Sequence, residues 1–149
     1  MDEFVVLLND LLVKTFRNIL KFEEKSINYK NKMMISISEV HLIEAVAQSA
    51  NKTISEIANE LGITLSSVTV AVNKLVKKGF LAKDKSDIDG RSVIISLTRQ
   101  GEKAKKLHGF FHQKMVREMS DQLSEEERTV LLRGIKKLND FFEQSGLEA

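Results

Sequence analysis

The sequence predicts a mainly α-helical protein carrying a small β-wing: a winged helix-turn-helix lobe flanked by long helices. Three observations predict it. The 149-residue chain contains no proline, where usual usage of ~5% would supply roughly seven, so nothing obstructs long helices. Apolar residues recur at three- and four-residue steps through most of the chain, the period of amphipathic helices. Between Gly79 and Thr98 that period gives way to two short β-prone runs around a polar turn.

The elements follow in order. Phe4, Leu8, Leu11, Leu12, Phe16, Ile19 and Leu20 mark a first long helix from Phe4 to about Phe22. Ser36 with Glu39 reads as a capping box opening a second helix through Val40, Ile43 and Val46, and Thr53 with Glu56 repeats the signal before Ile54, Ile57, Ala58 and Leu61. Gly62 ends that third, short helix with a residue free to take positive φ. Thr64 caps a fourth, in which Val68, Val72, Leu75 and Val76 face inward and Gly79 marks the stop. Phe80–Lys85 and Ser92–Leu97 form a hairpin across the turn Ser86–Arg91. Thr98 caps a fifth helix through Leu107, Phe110, Phe111, Met115 and Met119. Ser124 with Glu127 opens a sixth, which carries Leu131, Ile135, Leu138 and Phe142. No repeat or Pro/Gly-rich linker divides the layout, so residues 1–149 read as a single domain.

Composition narrows the function. With 42% hydrophobic and 30% charged residues the chain has material for a real core. Lys+Arg 23 against Asp+Glu 21 leaves a formal +2, so only the distribution of charge speaks about partners. Lys74, Lys77, Lys78, Lys83, Lys85, Arg91, Arg99, Lys103, Lys105 and Lys106 cluster from the fourth helix to the fifth, which makes this the candidate anion-binding surface. The absence of cysteine excludes disulfides, thiolate metal sites and cysteine nucleophiles. Apolar runs such as Phe4–Leu8 are too short for a membrane span, and Met1-Asp2-Glu3 has the wrong charge to open a signal peptide. A cytoplasmic protein without membrane attachment is expected. No phosphate-binding loop, dinucleotide turn, H-E-x-x-H pair or nucleophile elbow is present, so neither an enzyme nor a cofactor is expected.

Two short helices joined at Gly62 form a helix-turn-helix. The second leaves Thr64, Ser66, Ser67, Thr69, Val70 and Asn73 pointing outward, and hydroxyls and amides contact base edges and phosphates without desolvating a full charge. A basic hairpin with Lys83, Lys85 and Arg91 beside it suits a helix in the major groove and an arginine at the adjacent backbone or minor groove. A helical adaptor without DNA binding would account for the helices but not for this wing.

The stretch TISEIANELGITLSSVTVAVNKLVKKGFLAKDKSDIDGRSVIISLTRQG, Thr53 to Gly101, resembles the winged-helix core of the MarR family of bacterial transcriptional regulators. The cap, small residue, turn glycine, VT pair, KKG stop, D-x-R wing and LT-x-x-G boundary occur in the family's order, and the flanking helices match its layout. The resemblance implies a homodimer. Residues 1–33 and 99–149 would supply dimerisation helices and 36–98 the lobe that reads half of a palindromic operator in double-stranded DNA. It places Ser66, Ser67, Thr69, Val70, Asn73, Lys74 and Lys77 along the recognition helix, with Arg91 at the wing tip oriented by Asp89. Leu65 and Val70 replace more usual polar or basic residues, which suggests apolar contacts such as thymine methyls.

Within the family, ITLSSVTVAVNKLVKKGF and LHGFFHQKMV look most like the FabT-type repressors of fatty-acid biosynthesis, whose corepressor is a long-chain acylated acyl carrier protein. Phe16, Leu20, Phe22, Phe110, Phe111 and Met115 are suited to lining an apolar tunnel, with His41, His108 and His112 near it. An apolar stripe at this spacing also serves as core or dimer interface. His108 and His112 stand one turn apart, and zinc-sensing members of the family are similar in using histidines on this helix. Two histidines are not a zinc centre, however, and His41 has only Glu39 and Glu44 as carboxylate neighbours in sequence. The expectation is therefore no metal, with a zinc-responsive repressor or a regulator of another apolar ligand as alternatives.

Overall fold

The computed structural model describes residues 2–31, 34–48, 52–85 and 92–146, the side chains of 28–31 excepted. The helices are α1 (Glu3–Asn31), α2 (Ile37–Ala47), α3 (Ile54–Leu61), α4 (Leu65–Lys77), α5 (Arg99–Ser120) and α6 (Glu125–Gln144). The strands are β1 (Lys52–Thr53), β2 (Leu81–Lys85) and β3 (Val93–Leu97). Mainly helical with a small antiparallel sheet, the architecture is the expected winged helix-turn-helix.

Three details correct the sequence reading. Helix α1 runs nine residues past Phe22 to Asn31, because the segment holds neither proline nor glycine to stop it. Both hairpin strands begin one residue later than expected, pairing from Leu81↔Leu97 to Lys85↔Val93. The wing is also more than a hairpin: β1 pairs with Ile94 and Ile95 of β3, giving the order β1-β3-β2. The turn with Asp89 and Arg91 lies outside the described residues.

The caps form as their spacing predicts. Ser36, Thr53 and Ser124 each accept from the backbone N–H three residues on, while the glutamate there accepts from the cap's own N–H. Gly62 takes φ 63° and Gly79 φ 84°, left-handed conformations that end α3 and α4 at little cost only for glycine. Thr98 Oγ1 accepts from Gly101 N at 3.1 Å and starts α5.

The chain forms two compact units, Met1–Phe111 and His112–Ala149. The first holds the core, in which Ile43, Ile57, Val68, Val72, Leu75, Phe80 and Ile95 are almost completely buried. These residues lock α2, α3 and α4 onto the sheet, so the orientation of α4 is set by packing. The same unit leaves Phe4, Leu7, Leu11 and Phe16 of α1 exposed. In the second unit no residue of α6 is buried, and Leu131, Leu132, Ile135, Phe141 and Phe142 are open to solvent. Apolar rows of this length are unusual on an isolated monomer. No helix among the described residues is long and apolar enough to cross a membrane.

Two cap glutamates make stability depend on acid. Burial alone would push the Glu39 carboxyl up, but the Ser36 backbone N–H, Lys78 and Lys74 together hold it below the usual carboxylate value. The Thr53 backbone N–H and hydroxyl hold Glu56 down as well. A carboxyl with a depressed folded pKa adds stability above its unfolded value, about 4.3, that is lost as pH falls through the folded one. The unfolding midpoint should therefore fall on acidification below about pH 4.3. Glu39→Gln should start lower at neutral pH and fall less; an identical pH profile would show that Glu39 contributes nothing.

Candidate nucleic-acid interface

Helix α4 is amphipathic in the sense the site requires. Val68, Val72 and Leu75 are buried, and the opposite row, Ser66, Val70, Asn73 and Lys77 at four-, three- and four-residue steps, is exposed. Val70 is 69% and Leu65 53% exposed, so both leave apolar surface open at the start and middle of α4. At the start of α4, the Thr64 hydroxyl accepts from Ser67 N at 3.2 Å, donates to Ser67 Oγ at 2.8 Å and meets Ser66 Oγ at 3.2 Å. Thr69 is half-buried and spends its proton on the Leu65 carbonyl at 2.8 Å, so its oxygen is left only as an acceptor.

Neighbouring elements hold the helix's polar groups in place. The nearly buried Glu39 of α2 pairs with Lys74 at 3.2 Å and Lys78 at 2.9 Å. Lys78 also donates to the Met34 carbonyl at 2.9 Å. Lys83 of β2 donates to Asn73 Oδ1. An open groove of about 510 Å³ runs between the start of α2 and α4, with Ser36, Ser38, Ser66, Ser67 and Lys74 along it. Its hydroxyls suit contact with a phosphate chain, and the Lys74 ammonium among them is paired with the Glu39 carboxylate that lines the same groove. Asp89 and Arg91, expected at the wing tip, fall outside the described residues.

A second constellation lies within the first unit. His108 is 2% exposed, with Nδ1 hydrogen-bonded to Glu44 and Nε2 3.2 Å from Glu23 Oε1, itself on a 3% exposed residue. The His41 ring meets His108 edge-on at 5.6 Å between centroids. One ligand atom each from Glu23, His41 and His108 lies within 4.8 Å of the others. With Glu44 accepting from Nδ1–H, the Nε2 lone pair would face a carboxylate oxygen, so a proton or a cation belongs between them. The sequence reading, which ended the first helix at Phe22, missed Glu23. Its signal was an acid four residues from both Ile19 and Ile27 on the apolar row. His112 and Met115 belong to the second unit and are half-buried. Of the expected tunnel residues, Phe22 and Phe111 meet at 5.2 Å between centroids. Leu20 is half-buried, while Phe16 and Phe110 are about two-thirds exposed.

Comparison with known proteins agrees with this geometry. A profile of the MarR family matches residues 35–93. The structure is similar to that of Streptococcus pneumoniae FabT in complex with DNA, at 34% identity and a TM-score of 0.88, covering 94% of this chain and 98% of that one. Among curated proteins, the uncharacterised HTH-type regulator YfiV of Bacillus subtilis is 28% identical over 78% of this chain and 73% of its own. The transcriptional regulator ZitR of Lactococcus lactis is 25% identical over 76% and 79%.

Proposed function

This chain belongs to the MarR family of DNA-binding transcriptional regulators, and from that premise we propose that it represses fatty-acid biosynthesis genes as a homodimer with acylated acyl carrier protein as corepressor. The observation that carries the DNA-reading part is the exposed row Ser66, Val70, Asn73 and Lys77, with Thr64, Ser67, Thr69 and Lys74 beside it, on a helix fixed by its buried opposite face. Each α4 enters a major groove, and Arg91 adds a wing contact. Two-fold symmetry sets half-site centres about one helical turn, ~34–36 Å, apart. The exposed apolar faces of α1 and of α6 support a second copy as their cover.

The likeness to FabT supports the fatty-acid assignment, and the Phe22–Phe111 contact offers an apolar lining for an acyl chain. The row Arg99, Lys103 and Lys106, bordering Phe110 on α5, suits an acidic protein partner. Such an effector acts only through different affinities for the lobe spacings that fit and do not fit DNA.

The Glu23–His41–His108 cluster favours a second reading, a zinc-responsive repressor. Two imidazoles and a buried carboxylate, with Glu44 orienting His108, make a zinc-type donor set.

Fluorescence anisotropy separates these readings, using DNA from upstream of the host's fatty-acid synthesis genes at fixed salt. Acylated carrier protein, unacylated carrier protein, zinc and a chelator are the additions. Tightening by several fold with acylated carrier protein alone supports the first reading, and a shift with zinc alone supports the second. An affinity that no addition moves sinks both effector assignments.

A further inference from the structure

Lys83 of the wing reaches Asn73 on the outward row of α4. The inference rests on the reading of α4 as the recognition helix. Asn73 lies on the outward row with Ser66 and Val70, and its Oδ1 accepts from the Lys83 ammonium of β2. An ammonium has donors and no acceptor, so only the carbonyl end of the carboxamide can face it. The orientation of the amide is thereby chosen by chemistry, and its NH2 group turns away from the lysine.

An asparagine reads adenine by accepting from N6–H while donating to N7. Here the accepting end is held by a cation. An adenine amino group approaching Oδ1 would bring another positive N–H up to the ammonium. Guanine presents two acceptors, N7 and O6, on the same edge. The Asn73 NH2 on one side of Oδ1 and the remaining Lys83 N–H groups on the other are donors that suit those acceptors.

We propose that Lys83 is a specificity-determining residue of this regulator: by donating to Asn73 Oδ1 it orients the carboxamide and sets a cation where adenine N6–H would have to approach, so the pair selects guanine rather than adenine at one position of each half-site.

The test is selection of bound duplexes from a random library at fixed salt, with the full-length protein as wild type, Asn73→Ala, Lys83→Met, Lys83→Arg and Val70→Ala. The wild type should show a guanine at one half-site position, preferred over adenine by roughly tenfold. Asn73→Ala and Lys83→Met should each abolish that preference, Lys83→Met shifting it toward adenine because the freed carboxamide again offers both faces. Lys83→Arg, which still donates, should keep it. The proposal is overturned if Lys83→Met retains the guanine, or if it and Asn73→Ala weaken all sequences equally, as a phosphate contact would. Failure of the underlying reading looks different: neither Val70→Ala nor Asn73→Ala would then alter the selected sequence at any position.

Discussion

Phe80→Ala should lower the unfolding free energy by about 3–5 kcal/mol, a large part of the ~5–15 kcal/mol that holds a domain folded. Phe80 is 1% exposed and belongs to the cluster that joins α2, α3 and α4 to the sheet. The cost of a truncated phenylalanine depends on whether its surroundings can close the void. Here they are pinned. The Phe80 carbonyl accepts from Thr98 N at 3.1 Å and from Thr98 Oγ1 at 3.1 Å. Gly101 presses on the same group so closely that a Cβ there would stand 2.2 Å from the carbonyl oxygen. Gly79, just before it, holds φ 84° and ends α4. With the backbone clamped on both sides, the loss should fall in the upper half of the range. Urea unfolding at neutral pH measures it, with Phe80→Leu as a milder control that keeps most of the volume. A Phe80→Ala loss below about 1.5 kcal/mol would mean that the core closes around the gap and the clamp is not rigid.

What the sequence made legible is what local chemistry decides. A serine or threonine three residues before a glutamate carries its own hydrogen bonds, so Ser36, Thr53 and Ser124 marked three helix starts to the residue. Gly62 and Gly79 announced their turns because no other residue adopts those angles freely. The inward row of α4 followed from its period alone, and with it the outward row that makes the candidate reading surface.

Contacts across long stretches of chain were not legible. Strand β1 is two residues long and exists only through its pairing with Ile94 and Ile95, some forty residues away. Glu23 reads as a surface acid on a long helix until His108, 85 residues later, is seen to face it. Asn73 shows the residue type of an adenine reader, and only the fold brings Lys83 to its oxygen. In each case a residue's chemistry is redirected by a partner that the spacing of its own helix does not reveal.

The buried histidine makes the same point energetically. His108→Leu should destabilise the protein by about 3–5 kcal/mol, the cost of removing one member of a buried ionisable pair. The loss combines the imidazole's contacts with Glu23 and Glu44 and the burial of the 3% exposed Glu23 carboxyl beside a leucine that cannot replace the histidine's polar contact. The double variant Glu23→Leu/His108→Leu should then be more stable than His108→Leu alone, because replacing both members removes the buried carboxyl along with the contact. Urea unfolding of the single and double variants, in chelator and again in excess zinc, reads both roles of the cluster together. If Glu23, His41 and His108 hold the metal, zinc at a hundred times its dissociation constant should raise the wild-type unfolding free energy by about 2.7 kcal/mol and leave both variants unmoved. A wild type indifferent to zinc, combined with a double variant more stable than His108→Leu, would make the cluster a structural polar network and remove the zinc reading. Should the double variant be no better than the single one, Glu23 is not stranded by the loss of the imidazole, and His108 stabilises the protein through its packing and its bond to Glu44 instead.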